Sequence, residues 1–151
     1  MGDHAEETVV IDAPPRACFD VICDFVRYPE WASDIKSVDV TRTDDDNRGG
    51  LVTFRAAAMG RSTSYELEYF YGSNPLRVGW RLVTGDLLKR LDGHYVFAPL
   101  DGDATRTQVL YELDAELIVP MTGFVKRRAE SRIMRTALDD LRQRVEAVTA
   151  L

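Results

Sequence analysis

Histidine and cysteine are scarce in this 151-residue chain, with two of each. Cys18 and Cys23 fall in a segment that reads as one helix. Five residues of helix would place their Cα atoms roughly 8 Å apart and pointing in different directions, too far for a bridge. They read as two small buried thiols. With His4 and His94 far apart in the chain and no thiol cluster, no zinc site is expected, nor any other metal or cofactor. No nucleophile–base pair and no Gly-rich phosphate loop are present. Long hydrophobic runs are absent too: none reaches about 18 residues, so no transmembrane helix is expected. The start, Met1-Gly2-Asp3-His4-Ala5-Glu6-Glu7, is acidic and lacks a basic-then-apolar signal pattern. Glu6 stands where a myristoylation signal wants Ser or Thr. A cytoplasmic location is the expectation, with residues 1–6 as a flexible tail.

Charge is unevenly spread. The formal net charge is −6, which argues against a nucleic-acid partner. Residues 126–144 nevertheless carry seven bases against three acids. Arg128, Arg132 and Arg135 at helical spacing read as a solvated face. Lys126-Arg127-Arg128 beside Met121 and Phe124 is more suggestive, because an apolar tip next to bases suits transient contact with an anionic membrane.

Secondary structure is legible from periodicity. Glu7–Asp12 alternates as a strand. Ala13-Pro14-Pro15 opens a helix, since proline suits the first turn. Cys18, Val21, Ile22 and Phe25 make its buried face at i, i+3, i+4 and i+7. Pro29–Ser33 reads as a second short helix, with Asp24 as a cap and Trp31 packed beneath it. Six more strands follow between turn signals: Ile35–Thr43, Leu51–Met59, Ser62–Tyr71, Leu76–Thr84, Leu88–Pro99 and Thr105–Leu117. Connections this short permit only hairpins, hence an antiparallel meander.

Alternation sorts the strands into two faces. Val52, Phe54, Ala56 and Ala58 form one apolar row. Tyr65, Leu67, Tyr69 and Tyr71 form the next. Val78, Trp80 and Leu82 follow, then Leu91, Gly93, Tyr95 and Phe97, then Val109, Tyr111, Leu113, Ala115 and Leu117. Thr53, Arg55, Glu66, Glu68, Arg81, Glu112 and Asp114 oppose them. The apolar face needs a cover. The segment from about Pro120 to Val148 supplies one, with Val125, Ala129, Ile133, Ala137, Leu141, Val145 and Val148 on one stripe and Met134 and Leu138 beside it. The fold class is therefore α+β, a seven-stranded curved antiparallel sheet around a long C-terminal helix, in a single domain over 1–151.

Ala13-Pro14, Asp24, Tyr28-Pro29-Glu30-Trp31, Gly93-x-Tyr95-x-Phe97-x-Pro99 and Val125-Lys126-Arg127-Arg128 occur in that order between strands and helices. The pattern, from about Thr8 to Val145, resembles the START-like (SRPBCC) helix-grip superfamily. It is similar to the polyketide cyclase/dehydrase and coenzyme-Q-binding branches, many of whose members carry Trp where Tyr95 stands. The resemblance implies a cavity for a lipid, quinone or polyketide, without fixing an activity. A binding or carrier protein is the first expectation. A polyketide cyclase, aromatase or dehydratase is the alternative, and an interaction module a third. The short link Ile118–Gly123 counts against cyclisation, since aromatase/cyclases of this superfamily often have extra residues there.

The rows nominate a ligand site of Phe54, Tyr65, Tyr69, Trp80, Tyr95, Phe97 and Tyr111, closed by Ile133 and Met134. Tyrosine rings suit an apolar wall and their hydroxyls suit a ligand oxygen. No catalytic residue is nominated. His94 alternates with Asp92 and Val96 on the far face, and the cavity rows carry no Asp, Glu or Lys. No general acid/base dyad is expected, and little pH dependence between about 6 and 8.

Overall fold

The computed structural model describes residues 3–58, 61–118 and 123–150. Seven strands run β1 (Asp3–Ile11), β2 (Ile35–Thr43), β3 (Gly49–Ala58), β4 (Arg61–Ser73), β5 (Leu76–Gly85), β6 (Leu88–Leu100) and β7 (Asp103–Leu117). They form one antiparallel sheet in the order β1-β7-β6-β5-β4-β3-β2. Short turns hold β2 to β7 as a meander. The two short helices α1 (Pro15–Cys23) and α2 (Tyr28–Trp31) carry the chain from one edge strand to the other, and α3 (Gly123–Thr149) lies against the sheet.

Several local expectations shift for identifiable reasons. Residues 3–6 belong to β1 rather than to a tail, because they pair with residues 112–115 of β7. Pro15 takes the first turn of α1, whose buried residues are Cys18, Phe19 and Ile22. Asp24 makes no capping hydrogen bond; its carboxylate instead meets Arg27 at 3.2 Å. Burial pushes the Cys18 thiol up to about 11 and the Cys23 thiol to about 12. A register shift between Glu66 and Leu67 leaves Val83 unmatched and half exposed. Bulges produce this by putting one extra residue on one strand.

The largest correction concerns α3. Its buried stripe is Glu130, Met134, Leu138, Leu141 and Val145, while Val125 and Val148 are 49% and 40% exposed. The helix packs mainly on β1 and α1, at one side of the sheet, so the stripe that meets the core is rotated from the centre of the apolar arc. Pro120, the expected start, lies outside the described residues. Met134, Leu138, Leu141 and Val145 join Ile11, Phe97 and Val109 in the core. The flank carrying Ala129, Ile133 and Ala137 faces a hollow over β3–β7.

Candidate functional site

That hollow is a cavity of about 440 Å³. Phe54 of β3, Tyr65, Leu67 and Tyr69 of β4, Trp80 of β5, Tyr95 of β6 and Tyr111 of β7 make its floor. The alternation of each strand points these rings to one side. They also touch one another. Phe54 stacks on Tyr65 at 5.5 Å between centroids, Tyr69 meets Trp80 at 6.0 Å, and Trp80 meets Tyr95 at 5.3 Å and Tyr111 at 5.8 Å. Such offset and edge-on contacts hold each ring in place.

One glycine makes this floor possible. A Cβ on Gly93 would stand 2.4 Å from the Glu112 carbonyl oxygen and 2.9 Å from Trp80 Cζ2. The indole therefore lies over bare backbone of β6.

Of the nominated residues, Phe54, Tyr65, Tyr69, Trp80, Tyr95, Tyr111 and Ile133 line the cavity. Phe97 and Met134 do not. They are 1% and 0% exposed and belong to the core beneath α1 and α3, because α3 sits toward β1 and covers that end of the rows. Trp31 is half-buried at the cavity wall. The residue packed beneath α2 is Tyr28, which meets Trp31 edge-on at 5.0 Å and donates its hydroxyl to the Ile22 carbonyl.

The tyrosine hydroxyls differ in availability. Tyr71 donates to the Gly49 carbonyl at 2.6 Å and is engaged there. Tyr95 and Tyr111 lie side by side, with ring centroids 4.5 Å apart. Burial drives the pKa of both upward. Tyr111 is pushed up to about 12, the neighbouring Tyr95 hydroxyl offsetting part of the rise. Tyr65 and Tyr69 are likewise raised by burial. All four stay protonated at neutral pH and can present a phenol to a ligand oxygen.

Sequence reasoning missed the charged groups of the lining. Asp34, Arg61, Lys126, Glu130 and Asp140 all border the cavity, as does the buried Thr63. Asp140 accepts from the Ser33 amide at 2.9 Å and hydroxyl at 2.7 Å, tying the entry of β2 to α3. Lys126 donates to the Ala115 carbonyl at 2.6 Å. Thr63 donates to Asp86 at 2.6 Å. That bond, with amide hydrogen bonds, holds the Asp86 carboxyl below its usual range and fastens the β5–β6 turn to β4. Glu130 is 7% exposed. Its signal was legible: an acid four residues from Lys126 and from Met134 lies inside the buried stripe. Asp34 and Arg61 gave none, since charges beside turns are ordinary.

His94 lies on the opposite face of the sheet. Its Nδ1 is 3.3 Å from Arg77 Nη2, its Nε2 is 3.7 Å from Glu112, and burial with Arg77 lowers its pKa. Among the described residues no helix is long and apolar enough to cross a membrane.

A family model described as polyketide cyclase/dehydrase and lipid transport matches residues 3–146. Comparison with curated proteins finds no match. Among solved structures, a START superfamily protein from Mycobacterium smegmatis aligns with a TM-score of 0.90 at 22% identity, over 97% of this chain and 99% of that one. The Zhui aromatase/cyclase from Streptomyces sp. R1128 aligns at 0.83 and 17% identity, over 97% and 94%. A Thermus thermophilus protein aligns at 0.80 and 23%, over 97% and 99%. At these identities the likeness is one of fold.

Proposed function

Since the chain belongs to the polyketide cyclase/dehydrase and lipid transport family, we propose that it binds and carries a ring-bearing hydrophobic molecule of the quinone, polyketide or lipid class. The observation that carries this reading is the aromatic cavity with the adjacent, protonated tyrosines Tyr95 and Tyr111 in its floor. Apolar walls with a few convergent polar groups bind such ligands by burial and orient them by hydrogen bonds. Both phenols are buried and stay protonated, so each has a proton to offer a carbonyl oxygen. The same cavity favours a ligand binder over an interaction module.

A bulky aromatic probe should bind with a Kd in the micromolar range, about −8 kcal/mol. Tyr95→Ala and Trp80→Ala should each weaken it by about tenfold or more, since each removes a large contact area. Tyr111→Phe should weaken an anthraquinone but not a hydrocarbon of the same shape. Affinity should stay flat from pH 6 to 8, because the raised tyrosines do not titrate there. Fold stability, by contrast, should fall at high pH: the contribution of the protonated Tyr111 is fully present below the ordinary tyrosine value of 10 and is lost as pH rises through about 12. Fluorescence titration with folded variants checks this. Unchanged affinity in both alanine variants would move the site elsewhere.

Glu130 and Lys126 in the lining favour a second reading, a cyclase or dehydratase using an ionisable group on a bound polyketide. Turnover that is lost in Glu130→Gln while binding persists would make the protein an enzyme.

Loading from an anionic membrane is the third part of the proposal. Arg127 and Arg128 are exposed at the start of α3, close in sequence to Val125, which is 49% exposed; Ile118, just after β7, is 48% exposed. Lys126 is half-buried there; Met121 lies outside the described residues, as does the side chain of Phe124. Exposed apolar groups next to bases suit an anionic interface. The protein should co-sediment with phosphatidylserine vesicles at low salt, and Arg127→Glu with Arg128→Glu should abolish this. Equal sedimentation with neutral vesicles would rule out the electrostatic contact.

A further inference from the structure

The two histidines, distant in sequence, reach the same carboxylate. β7 lies between β1 and β6. On the face opposite the cavity, Glu6 stands directly across from Glu112, His4 across from Asp114, and His94 across from Glu112. Like charges directly opposite each other on paired strands are destabilising, so Glu6 and Glu112 call for a positive group between them. His4 Nδ1 is 3.1 Å from Asp114 Oδ1, and His4 Nε2 is 3.4 Å from Glu112 Oε2. When the Nδ1–H donates to Asp114, the neutral ring turns the Nε2 lone pair toward an anion. That geometry is satisfied by a proton or by a metal ion.

The spacing suits a metal. Two donors about 2.0–2.1 Å from one zinc at the tetrahedral angle stand about 3.4 Å apart. The donor atoms of His4, Glu6 and Glu112 all lie within 4.8 Å of one another, and among the described residues this is the group of His, Cys and carboxylates that does so. Asp114 supplies the carboxylate behind the histidine that commonly fixes a metal-binding ring. His94 is placed differently. With Arg77 at its Nδ1, its Nε2–H is directed to Glu112 and steadies that carboxylate instead of ligating.

We propose that His4, Glu6 and Glu112 bind one divalent transition-metal ion of the zinc class, with water completing the site, and so staple the edge strand β1 to β7. Imidazole with two carboxylates favours zinc, copper or nickel over magnesium and calcium, which prefer all-oxygen sets. Two carboxylates also match the charge of the ion.

The test is calorimetric titration of Zn²⁺ into the metal-free full chain, with the Co²⁺ visible spectrum and thermal unfolding alongside. One equivalent should bind in the micromolar range, raise the unfolding midpoint, and give a tetrahedral cobalt spectrum; Mg²⁺ should do none of these. His4→Gln should abolish stoichiometric binding, Glu6→Gln should weaken it at least tenfold, and His94→Gln should retain it. Probe binding in the cavity should be unchanged in all three, which also reports that they fold. Zinc binding as tight in His4→Gln and Glu6→Gln as in the parent overturns the proposal, as does absence of binding at millimolar zinc. Loss in His94→Gln with retention in His4→Gln overturns it as well.

Discussion

Gly93→Ala should lower the unfolding midpoint by about 10 °C, the shift expected for about 3 kcal/mol in a domain of this size. The methyl carbon would sit 2.4 Å from the Glu112 carbonyl oxygen. That atom is backbone in the centre of the β6–β7 ladder, so it cannot swing aside as a side-chain tip would. The second clash, 2.9 Å from Trp80 Cζ2, forces the indole up into the cavity. The substitution should therefore also weaken a bulky probe, through a change in cavity shape. Thermal unfolding and probe titration on the same sample check both parts. A midpoint within about 2 °C of the parent would show that β6 can shift and that the close approach is not required.

The second large effect is expected from Ala129→Trp. Ala129 is half-buried on the flank of α3 that lines the cavity, outside the tightly packed core. An indole there has about 440 Å³ of open space to enter. The fold should persist, and filling apolar space can add stability. A bulky ligand loses the same space, so affinity should fall by about a hundredfold, or roughly 2.7 kcal/mol. Circular dichroism confirms the fold and fluorescence titration reads the affinity. Parent-like affinity in the folded variant would place the ligand outside this cavity.

Much of the cavity floor was legible in the strand patterns. Alternation has a period of two, so one correct register assigns every side chain of a strand to a face. That is why Phe54, Tyr65, Tyr69, Trp80, Tyr95 and Tyr111 emerged as one group, and why His94 and Glu112 fell on the other face. The helix was harder. A stripe at i and i+4 gives a broad apolar arc, and its centre is not fixed until its neighbours are known. Ala129, Ile133 and Ala137 turned out to face the cavity, whereas Met134 and Leu138 face the core. Glu130 and Lys126 entered the lining by the same rotation.

By itself the sequence determined the element order, the antiparallel meander, the apolar face and the covering helix, because each follows from local periodicity and turn chemistry. It also determined the family, through short motifs set in that order. Only the tertiary structure decided where α3 rests across the sheet, which divides the apolar rows into a packed core near Phe97 and an open cavity near Trp80. Only the strand order brought His4 beside Glu112, because pairing the first strand with the last joins positions that no local pattern relates. Local rules fix which face a side chain takes; contacts between distant segments fix what it meets there.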